Sequence, residues 1–357
     1  MKLVMTLRAR DEADIVDAQI AFHLNAGVDF IVATDHRSQD GTREILESYA
    51  QQGVLHLIRE DGEVRGDLIT PMARLAASEF GADWVLNTDA DEFYWPRGGS
   101  LKDVLASVPE RYGMVRALLR QFVPRPDNAS FFADRMIARM STAAPINDPT
   151  SLFRPNLKSI HRADPNVTVT AGGHTLVDSA LIPLRGWYPI ELLHFALRSF
   201  EQCERKYSNM STALAHSRNA YYDQVRDALE AGRLREFYDS LVVDDEALER
   251  GLREGTLVLD TRLRDALDSI RGEGATRFAL PPTNGRLTFT RPSVVDEAAY
   301  AVDVAALGEA EVVRVQRRLD QLEPRLVALE RRFPARVSRT LRGAAKKLLR
   351  RNSAQVA

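Results

Sequence analysis

The sequence predicts an α/β fold with a mixed, mainly parallel central sheet, followed by a C-terminal helical extension. Short apolar segments alternate with segments of helical period over about the first hundred residues, a pattern typical of parallel strands covered by helices on both faces. Polar clusters follow each apolar segment. Beyond residue 213 the sequence is charged and mainly helical in pattern.

Four strands and three helices account for this alternation. In chain order, the predicted elements are strand 2–7, helix 11–27, strand 28–34, helix 40–53, strand 54–59, a helix around 66–80 and strand 82–87. The first two helices are expected to end at Gly27 and Gly53, because glycine readily adopts the left-handed conformation at a helix end. Ligands of such sheets bind outside the carboxyl ends of the strands. The polar segments that follow the strands are therefore the candidate functional segments.

The pattern becomes less regular after residue 108. We predict long strands over 112–123 and 150–162, and a strand over 167–177 that bends at Gly172 and its following glycine. A strand that leads into a helix is predicted over 191–211.

Four consecutive segments are expected. They are an α/β domain at 1–212, a mainly helical extension at 213–300, a heptad-like helical segment at 301–334 and a basic amphipathic tail at 335–357. In the third segment, apolar residues recur in steps of three and four from Val312 to Phe333, which predicts a helical seam. Pro324 is expected to kink or divide that helix, giving a short helical hairpin or an imperfect coiled coil. Residues 312–333 are thus a candidate surface for homo-oligomerisation.

The composition indicates an ordinary globular protein of 357 residues with 27% charged residues. Its one cysteine, Cys203, excludes an internal disulfide framework and suits a reducing compartment. The apolar stretch near the start is too short for a signal peptide, and no run reaches the roughly 18 apolar residues of a membrane span. We therefore expect a cytoplasmic protein.

Charge is distributed unevenly along the chain. Nine of the 48 Lys and Arg residues, and none of the 50 acids, lie from Arg331 to the end. In 336–351, basic residues alternate with Val337, Leu341 and the Leu348–Leu349 pair, as in an interfacial amphipathic helix. The tail is expected to associate with anionic lipid at the inner face of a membrane or with an acidic partner, or else to pack on the acidic body. Nucleic acid is not an expected partner, because the tail lacks interleaved aromatic residues.

The segment "NTDADEF" (87–93) places three acids directly after an apolar strand. Side chains at i and i+2 of an extended segment project to the same side, so Asp89 and Asp91 can converge on one cation. Carboxylate oxygens suit Mg²⁺ or Mn²⁺, which bind substrate phosphates as well. An ordinary acidic turn is the alternative interpretation. Glu92 is expected to be a neighbour of the site rather than a ligand.

Three segments together resemble family 2-like glycosyltransferases. "TLRARDEADIV" is similar to their first strand-to-helix turn, "IVATDHRSQDGTREIL" to their D-x-x-S-x-D-G-T segment, and "NTDADEF" to their D-x-D motif. The match covers roughly residues 1–110 and extends more loosely to about 210. The resemblance implies a GT-A fold and a nucleotide-sugar-dependent, metal-assisted transferase that is usually inverting.

The same resemblance implies roles for individual residues. Asp35 matches the carboxylate near the uracil and ribose, Thr6 a residue that lines the base pocket, and Arg65 a basic residue near the base or diphosphate. Asp89 and Asp91 match the pair that meets ribose and metal. The expected donor-binding set is Thr6, Arg8, Glu12, Asp35, Arg65, Asp89 and Lys158. Members of the family commonly have Asn-Glu after the first strand, whereas this chain has Asp11-Glu12. The Asp40–Thr42 segment is expected simply to begin a helix.

Other candidates belong to the acceptor side of the site. Inverting transfer needs a base that takes the proton of the acceptor hydroxyl, and the candidates are Glu191, our first choice, Asp178 and Asp164. His174 and His194 are candidates either to complete the metal site with Asp89 and Asp91 or to contact the diphosphate, although a lone histidine is more often structural. Lys158, Arg198 and Lys206 are candidate contacts of phosphate or acceptor, or else solvated surface residues.

Two other functions are compatible with an α/β sheet and strand-end carboxylates. A nucleotidyltransferase usually carries a glycine-rich loop after its first strand, and "LRARDEAD" has no glycine. A non-catalytic sugar- or nucleotide-binding protein is disfavoured by the intact Asp89 and Asp91. The expected partners are a UDP, GDP or dTDP sugar and a glycan or lipid-linked acceptor, with surface-glycan synthesis as the role that the resemblance suggests.

Deletion of residues 334–357 is expected to reduce binding to anionic lipid vesicles at least about tenfold, since each basic residue near such a surface contributes about 1 kcal/mol. Co-sedimentation of the full chain and the shortened chain measures this, with uncharged phosphatidylcholine vesicles as the control. Equal binding of the two chains to anionic vesicles would contradict the membrane hypothesis and leave the tail packed on the body.

Overall fold

A central sheet organises the protein, described here as a computed structural model. The structure describes residues 1–62, 68–141, 150–154, 156–210, 220–271, 278, 280 and 287–332. The predicted donor contact Arg65 and the predicted basic tail lie outside the described residues. The chain divides into two units, Met1–Ala306 and Leu307–Ala357. The first unit contains both the segment predicted as the α/β domain and the one predicted as a helical extension.

In the described part of the chain, the central sheet has eight strands. They are β1 (Leu3–Ala9), β2 (Phe30–Asp35), β3 (Leu55–Arg59), β4 (Trp84–Asp89), β5 (Glu92–Pro96), β6 (Met114–Gln121), β8 (Leu157–Arg162) and β9 (Ile190–His194), in the spatial order β3-β2-β1-β4-β8-β6-β9-β5. Strands β8 and β5 run against their neighbours, and the other six run in one direction. The predicted α/β class with a mixed, mainly parallel sheet is confirmed. Strands β7 (Ala138–Met140) and β10 (Leu257–Leu259) form a separate antiparallel pair.

Among the described residues, helices cover the sheet and form most of the extension after it. They are α1 (Val16–Asn25), α2 (Thr42–Gln51), α3 (Ile69–Ser78), α4 (Leu101–Ala106), α5 (Phe132–Arg135), α6 (Phe200–Asn209), α7 (Ala220–Glu230), α8 (Leu234–Asp239), α9 (Asp245–Glu254), α10 (Arg262–Ile270) and α11 (Val294–Arg332). No helix in the described part of the chain is both long enough and apolar enough to cross a membrane.

The strands are apolar on both faces because each face is covered. In β1, Leu3, Met5 and Leu7 join the cluster that includes α1 and α2, whereas Val4 packs with Met72 of α3 on the other face. Burial on both sides explains why these strands are continuous apolar runs in the sequence rather than alternating ones.

The sheet register brings the predicted functional segments to one edge. Strand β1 lies between β2 and β4, with Arg8 level with Asp89 and Ala9 level with Asp35. Strand β9 reaches the same edge from the other side, because His194 is paired with Glu92 in β5. The carboxyl ends of β1, β2, β4 and β9 therefore surround one area.

Three local predictions are wrong. The long strand predicted over 150–162 begins only at Leu157. Residues 167–177 do not form one bent strand. A 3₁₀ turn at Ala171–Gly173 reverses the chain, so that Val169 pairs with Leu176. The reversal is possible because Gly172 and Gly173 both have positive φ, 76° and 71°. The predicted division of the last helix at Pro324 is the third, since α11 continues through it to Arg332. A kink at Pro324 stays a prediction.

The predicted heptad seam lies in a single helix, α11, from Val312 to Leu329. Those of its side chains that the structure describes, Val312, Leu319 and Leu322, are exposed. Its members Val315, Leu326, Leu329 and Phe333 lie outside the described side chains. Self-association through 312–333 stays a prediction.

Replacement of Gly173 by alanine is expected to lower the free energy of unfolding by about 2–4 kcal/mol. A Cβ at this position would lie 2.8 Å from Cε of Lys158 and 3.1 Å from Cβ of Asn87, so overpacking adds to the cost of positive φ. Gly232→Ala is the matched control: φ there is 67° and nothing lies within 4 Å of the new Cβ, so a loss of only about 1 kcal/mol is expected. Urea denaturation measures both; equal losses would show that the contact with Lys158 is unimportant.

Candidate functional site

The acidic segment lies where β4 ends and β5 begins. Asp89 is the last residue of β4 and Glu92 the first of β5, with Ala90 and Asp91 forming the turn between them. Asp91 and Glu92 are buried. Buried carboxylates are tolerated only when they are neutralised or protonated, so the basic residues around this turn define the site.

Asp89 is held by two basic side chains. Its Oδ2 accepts a hydrogen bond of 2.9 Å from Nζ of Lys158, and its Oδ1 lies 2.9 Å from an Arg8 guanidinium nitrogen. Lys158 also lies 2.6 Å from Glu92, whose carboxylate accepts the backbone N–H of Asp89 at 2.8 Å. Burial raises the pKa of Asp89, but Arg8 and Lys158 outweigh it and hold that pKa below its ordinary value. Asp89 is therefore ionised and oriented.

Asp91 contacts a different lysine. Its Oδ2 accepts a hydrogen bond of 2.8 Å from Nζ of Lys206, which also donates to the carbonyl of Ala196 at 3.1 Å. Nε2 of His194 lies 3.6 Å from the same oxygen. Burial raises the pKa of Asp91, but Lys206 and His194 lower it well below its ordinary value. Asp89 and Asp91 lie on one turn but are neutralised separately.

His194 is oriented by a residue that the sequence analysis missed. Its Nδ1 donates a hydrogen bond of 2.7 Å to Oε1 of Gln121. The outer nitrogen Nε2 is thereby directed toward Asp91. Gln121 is the last residue of β6, so its place at the end of an apolar strand was the available signal.

Arg198 forms a third ion-pair group at this edge. Its side chain is almost fully buried and donates to both carboxylate oxygens of Asp14, at 2.6 and 2.8 Å, and to Glu12. Burial raises the pKa of Glu12 to about 7, although Arg198 acts against this shift. Arg198 is thus a buried member of the site and not a solvated surface residue.

Asp35 lies next to this area with its carboxylate fixed. Its Oδ2 accepts a hydrogen bond of 2.6 Å from Nε of Arg43, and its Oδ1 accepts the backbone N–H of Ser38 at 3.3 Å. Thr6 is fully buried within β1 and donates to Oδ1 of Asn87 at 3.1 Å. The Thr6 hydroxyl therefore links β1 to its neighbour β4 and is not available at the surface.

His174 is engaged by the protein at both ring nitrogens. Nδ1 donates to the carbonyl of Leu157 at 2.8 Å, and Nε2 lies 3.3 Å from the amide nitrogen of Asn156. Burial lowers its pKa, so the ring is kept neutral. These bonds make His174 less suited than His194 to hold a cation.

The structure does not bring the three candidate bases to this edge. Glu191 is three residues before His194 in β9, and side chains at that spacing point to opposite faces of a strand. It is paired with Arg97, Arg120 and Arg262 at 3.0, 2.5 and 2.8 Å. Although burial raises the pKa of Glu191, Arg262 and Arg120 hold it well below its ordinary value. A carboxylate in this state is a weak proton acceptor.

The other two acids do not contribute to the ion pairs of the site. Asp164 follows β8, which runs against β4, so it lies near the edge where β4 begins. Asp178 is exposed, with a left-handed φ of 46°, and takes no part in the ion pairs of the strand-end cluster.

Comparison with known proteins gives distant structural likeness only. No protein-family model matches the chain, and no curated protein matches it. Among solved structures it is similar to S. aureus TarS 1–349 in complex with UDP-GlcNAc, at 16% identity over 63% of this chain and 70% of that one, with a TM-score of 0.32. A second is the mannosyltransferase PcManGT from Pyrobaculum calidifontis with GDP-Man and Mn²⁺, at 13% identity, 87% and 86% coverage and a TM-score of 0.33.

A third similar structure is glucosyl-3-phosphoglycerate synthase from Mycobacterium tuberculosis with Mn²⁺, UDP and glucosyl-3-phosphoglycerate. It is 16% identical over 33% of this chain and 44% of that one, with a TM-score of 0.24. At these identities and TM-scores, the function of the present chain has to be derived from its own site.

Glu191→Gln is expected to destabilise the protein by about 3–5 kcal/mol at pH 7, because it leaves buried arginines uncompensated. The ion pairs stabilise wild type above the unfolded-state pKa of about 4.3, and this stability is lost as the pH falls through the lowered folded-state pKa. The variant should therefore lose less stability than wild type below about pH 4. Urea denaturation at several pH values measures this. Glu47→Gln, in an exposed pair with Arg59, should change stability by less than about 1 kcal/mol. A similar small effect at Glu191 would refute a structural role.

Proposed function

We propose that this protein is a glycosyltransferase that moves a sugar from a nucleotide-diphosphate sugar to an acceptor hydroxyl, with its donor site at the carboxyl edge of the sheet. The observation that supports this most strongly is the pairing of Asp89 and Asp91 with basic side chains from three other elements. Acids alone would suit a cation, and bases alone would suit any anion. Their combination at strand ends suits a diphosphate that is bound together with a divalent cation.

A divalent cation fits this site as a two-ligand arrangement. Among the described residues, no group of three or more His, Cys, Asp or Glu side chains could hold a metal ion. Asp91 and Nε2 of His194, 3.6 Å apart, supply one carboxylate and one imidazole, and the hydrogen bond to Gln121 orients the ring as metal-ligating histidines require. Mg²⁺ and Mn²⁺ commonly take one or two protein ligands and complete their shell with water and phosphate. When bound, such an ion neutralises charge on the leaving diphosphate.

The remaining side chains of the edge would bind the donor. Arg8 is partly exposed beside Asp89 and is placed to contact phosphate oxygens. Lys158 is buried beneath the acids, so we assign it to orienting Asp89 instead of direct donor binding. Asp35, fixed by Arg43, would accept hydrogen bonds from the nucleoside. Arg65 keeps its predicted role near the base or diphosphate.

Glu12 is the best-suited proton acceptor among the acids described at this edge. Its pKa is raised to about 7 by burial, and a general base is most effective with a pKa near the working pH. Glu191, held by arginines on the other face, is less suited.

If Glu12 is the base, kcat/KM of the wild type should rise through about pH 7, and Glu12→Gln should remove that rise. If the pH dependence of kcat/KM is unchanged in the Glu12→Gln variant, the general base is an acid other than Glu12.

Inversion at the anomeric carbon, a glycan or lipid-linked acceptor and a role in surface-glycan synthesis are further parts of this proposal. A non-catalytic sugar- or nucleotide-binding protein is the alternative, and a nucleotidyltransferase ranks below it. Turnover of the donor separates the first two, since a binding protein would be stabilised by a nucleotide sugar without cleaving it.

Thermal denaturation with UDP-, GDP- and dTDP-sugars, each with and without Mn²⁺, is expected to show stabilisation by one nucleotide class that increases with the metal. Asp91→Asn should reduce release of the nucleotide diphosphate at least about 100-fold, the scale for loss of a group that stabilises developing charge. Asp239→Asn, in an exposed pair with Arg235 on α8, is the control and should keep wild-type turnover. Absence of any nucleotide-sugar effect would refute the proposed function; unchanged turnover in Asp91→Asn would refute the role of that residue.

A further inference from the structure

Two lysines neutralise the acidic turn, but the protein holds them very differently. Lys158 is in the middle of the sheet on β8, is fully buried and bridges Asp89 and Glu92 at 2.9 and 2.6 Å. Its side chain has no exposed surface, and the backbone of Gly173 packs so close to it that an added Cβ there would lie 2.8 Å from Cε of the lysine. Lys158 is a permanent counter-ion.

Among the residues that the structure describes, Lys206 forms an ion pair with one acid, and its side chain is partly exposed to solvent. It lies in the last turn of α6 and contacts Asp91 at 2.8 Å, and its side chain is 26% exposed. Its other hydrogen bond goes to a backbone carbonyl, that of Ala196. The charge of Glu12 also acts on this ammonium group, so a second acid is near if Asp91 is taken by another cation.

Lys206 and the proposed metal site use the same atom. The ammonium group and Nε2 of His194 both approach Oδ2 of Asp91, at 2.8 and 3.6 Å. A divalent ion held by Asp91 and His194 would use the same carboxylate oxygen that Lys206 contacts. Repulsion between an ammonium group and a divalent ion at one oxygen is strong in a buried site, so the two cations compete for Oδ2 of Asp91.

We propose that Lys206 is a displaceable internal counter-ion, which occupies the cation position on Asp91 in the free protein and leaves it when a divalent metal ion binds. This inference rests on the metal site of the proposed function. It assigns different tasks to the two lysines: Lys158 keeps Asp89 out of metal coordination, and Lys206 keeps Asp91 neutralised until the ion arrives. The free protein therefore binds metal weakly, and the donor diphosphate supplies the remaining affinity.

Lys206→Met removes the competing charge while keeping the length of the side chain. The variant is expected to bind Mn²⁺ at least about tenfold more tightly than wild type, because an unpaired buried carboxylate gains more from a new cation than a paired one. Titration of the full-length protein with Mn²⁺ alone, followed by electron paramagnetic resonance of the free ion, measures this without nucleotide or turnover.

Two controls define the result. Lys102→Met, which removes an exposed partner of Asp29, should leave Mn²⁺ affinity unchanged. The double variant Asp91→Asn with Lys206→Met should lose the gain, since it removes the ligand. Equal or weaker Mn²⁺ binding by Lys206→Met than by wild type, or no binding by either protein, would overturn the proposal.

A second measurement uses the wild-type protein and is independent of whether the variant folds. Mn²⁺ is expected to increase acetylation of Lys206 by an amine-reactive ester at least threefold, as read by mass spectrometry, because the displaced ammonium group becomes more accessible. Lys158 should stay unreactive and Lys102 should react equally with and without the ion. Unchanged or reduced labelling of Lys206 at saturating Mn²⁺ would contradict displacement.

These outcomes are separate from those of the donor screen. Metal-induced release of Lys206 in a protein that responds to no nucleotide sugar would retain the switch and reject the transferase. If the protein cleaves a nucleotide sugar but Lys206 does not respond to Mn²⁺, the transferase is supported and the displacement of Lys206 is rejected.

Discussion

Neutralisation of the acids on the β4–β5 turn is the constraint on which the rest of the site depends. Three carboxylates within four residues are placed at the edge of a sheet that is covered on both faces. Each must be matched by positive charge, because an unpaired buried carboxylate costs several kcal/mol. Arg8, Lys158 and Lys206 meet this need from three separate elements. The turn therefore determines where β1, β8 and α6 come together.

The location of this turn was predictable from sequence, whereas its charge partners were not. Alternating apolar segments define parallel strands, and parallel strands bring their ends to one edge, so Asp89 and Asp35 could be placed near each other. Lys158 is different, because lysine is usually exposed. Its position inside "LKSIHR", flanked by buried residues of a central strand, was the one signal that it is internal. The positions of Arg198, just before α6, and of Lys206, in its last turn, depend on how α6 packs on the sheet, which local sequence does not determine.

Glu191 was our first choice of base from the sequence, but its side chain lies on the opposite face of β9 from His194. It lies close to His194 in the chain, but a three-residue separation in a strand reverses the direction of the side chain. On its own face it joins arginines from β6 and α10, and Arg120 also contacts Asp303 at the start of α11. These pairs link the sheet to the helices that follow it in the chain. The acid thus connects the extension to the α/β core within the unit Met1–Ala306.

The contact between Gly173 and Lys158 also has an evolutionary consequence. The 3₁₀ turn places the glycine where any side chain would meet the lysine stem, so the two positions are not free to vary independently. Among descendants of this sequence, a larger residue at 173 becomes acceptable only after position 158 has become shorter, and a shorter residue there leaves Asp89 and Glu92 without their shared cation. The order of substitutions is thereby restricted, and we expect the glycine to be retained for as long as the lysine is.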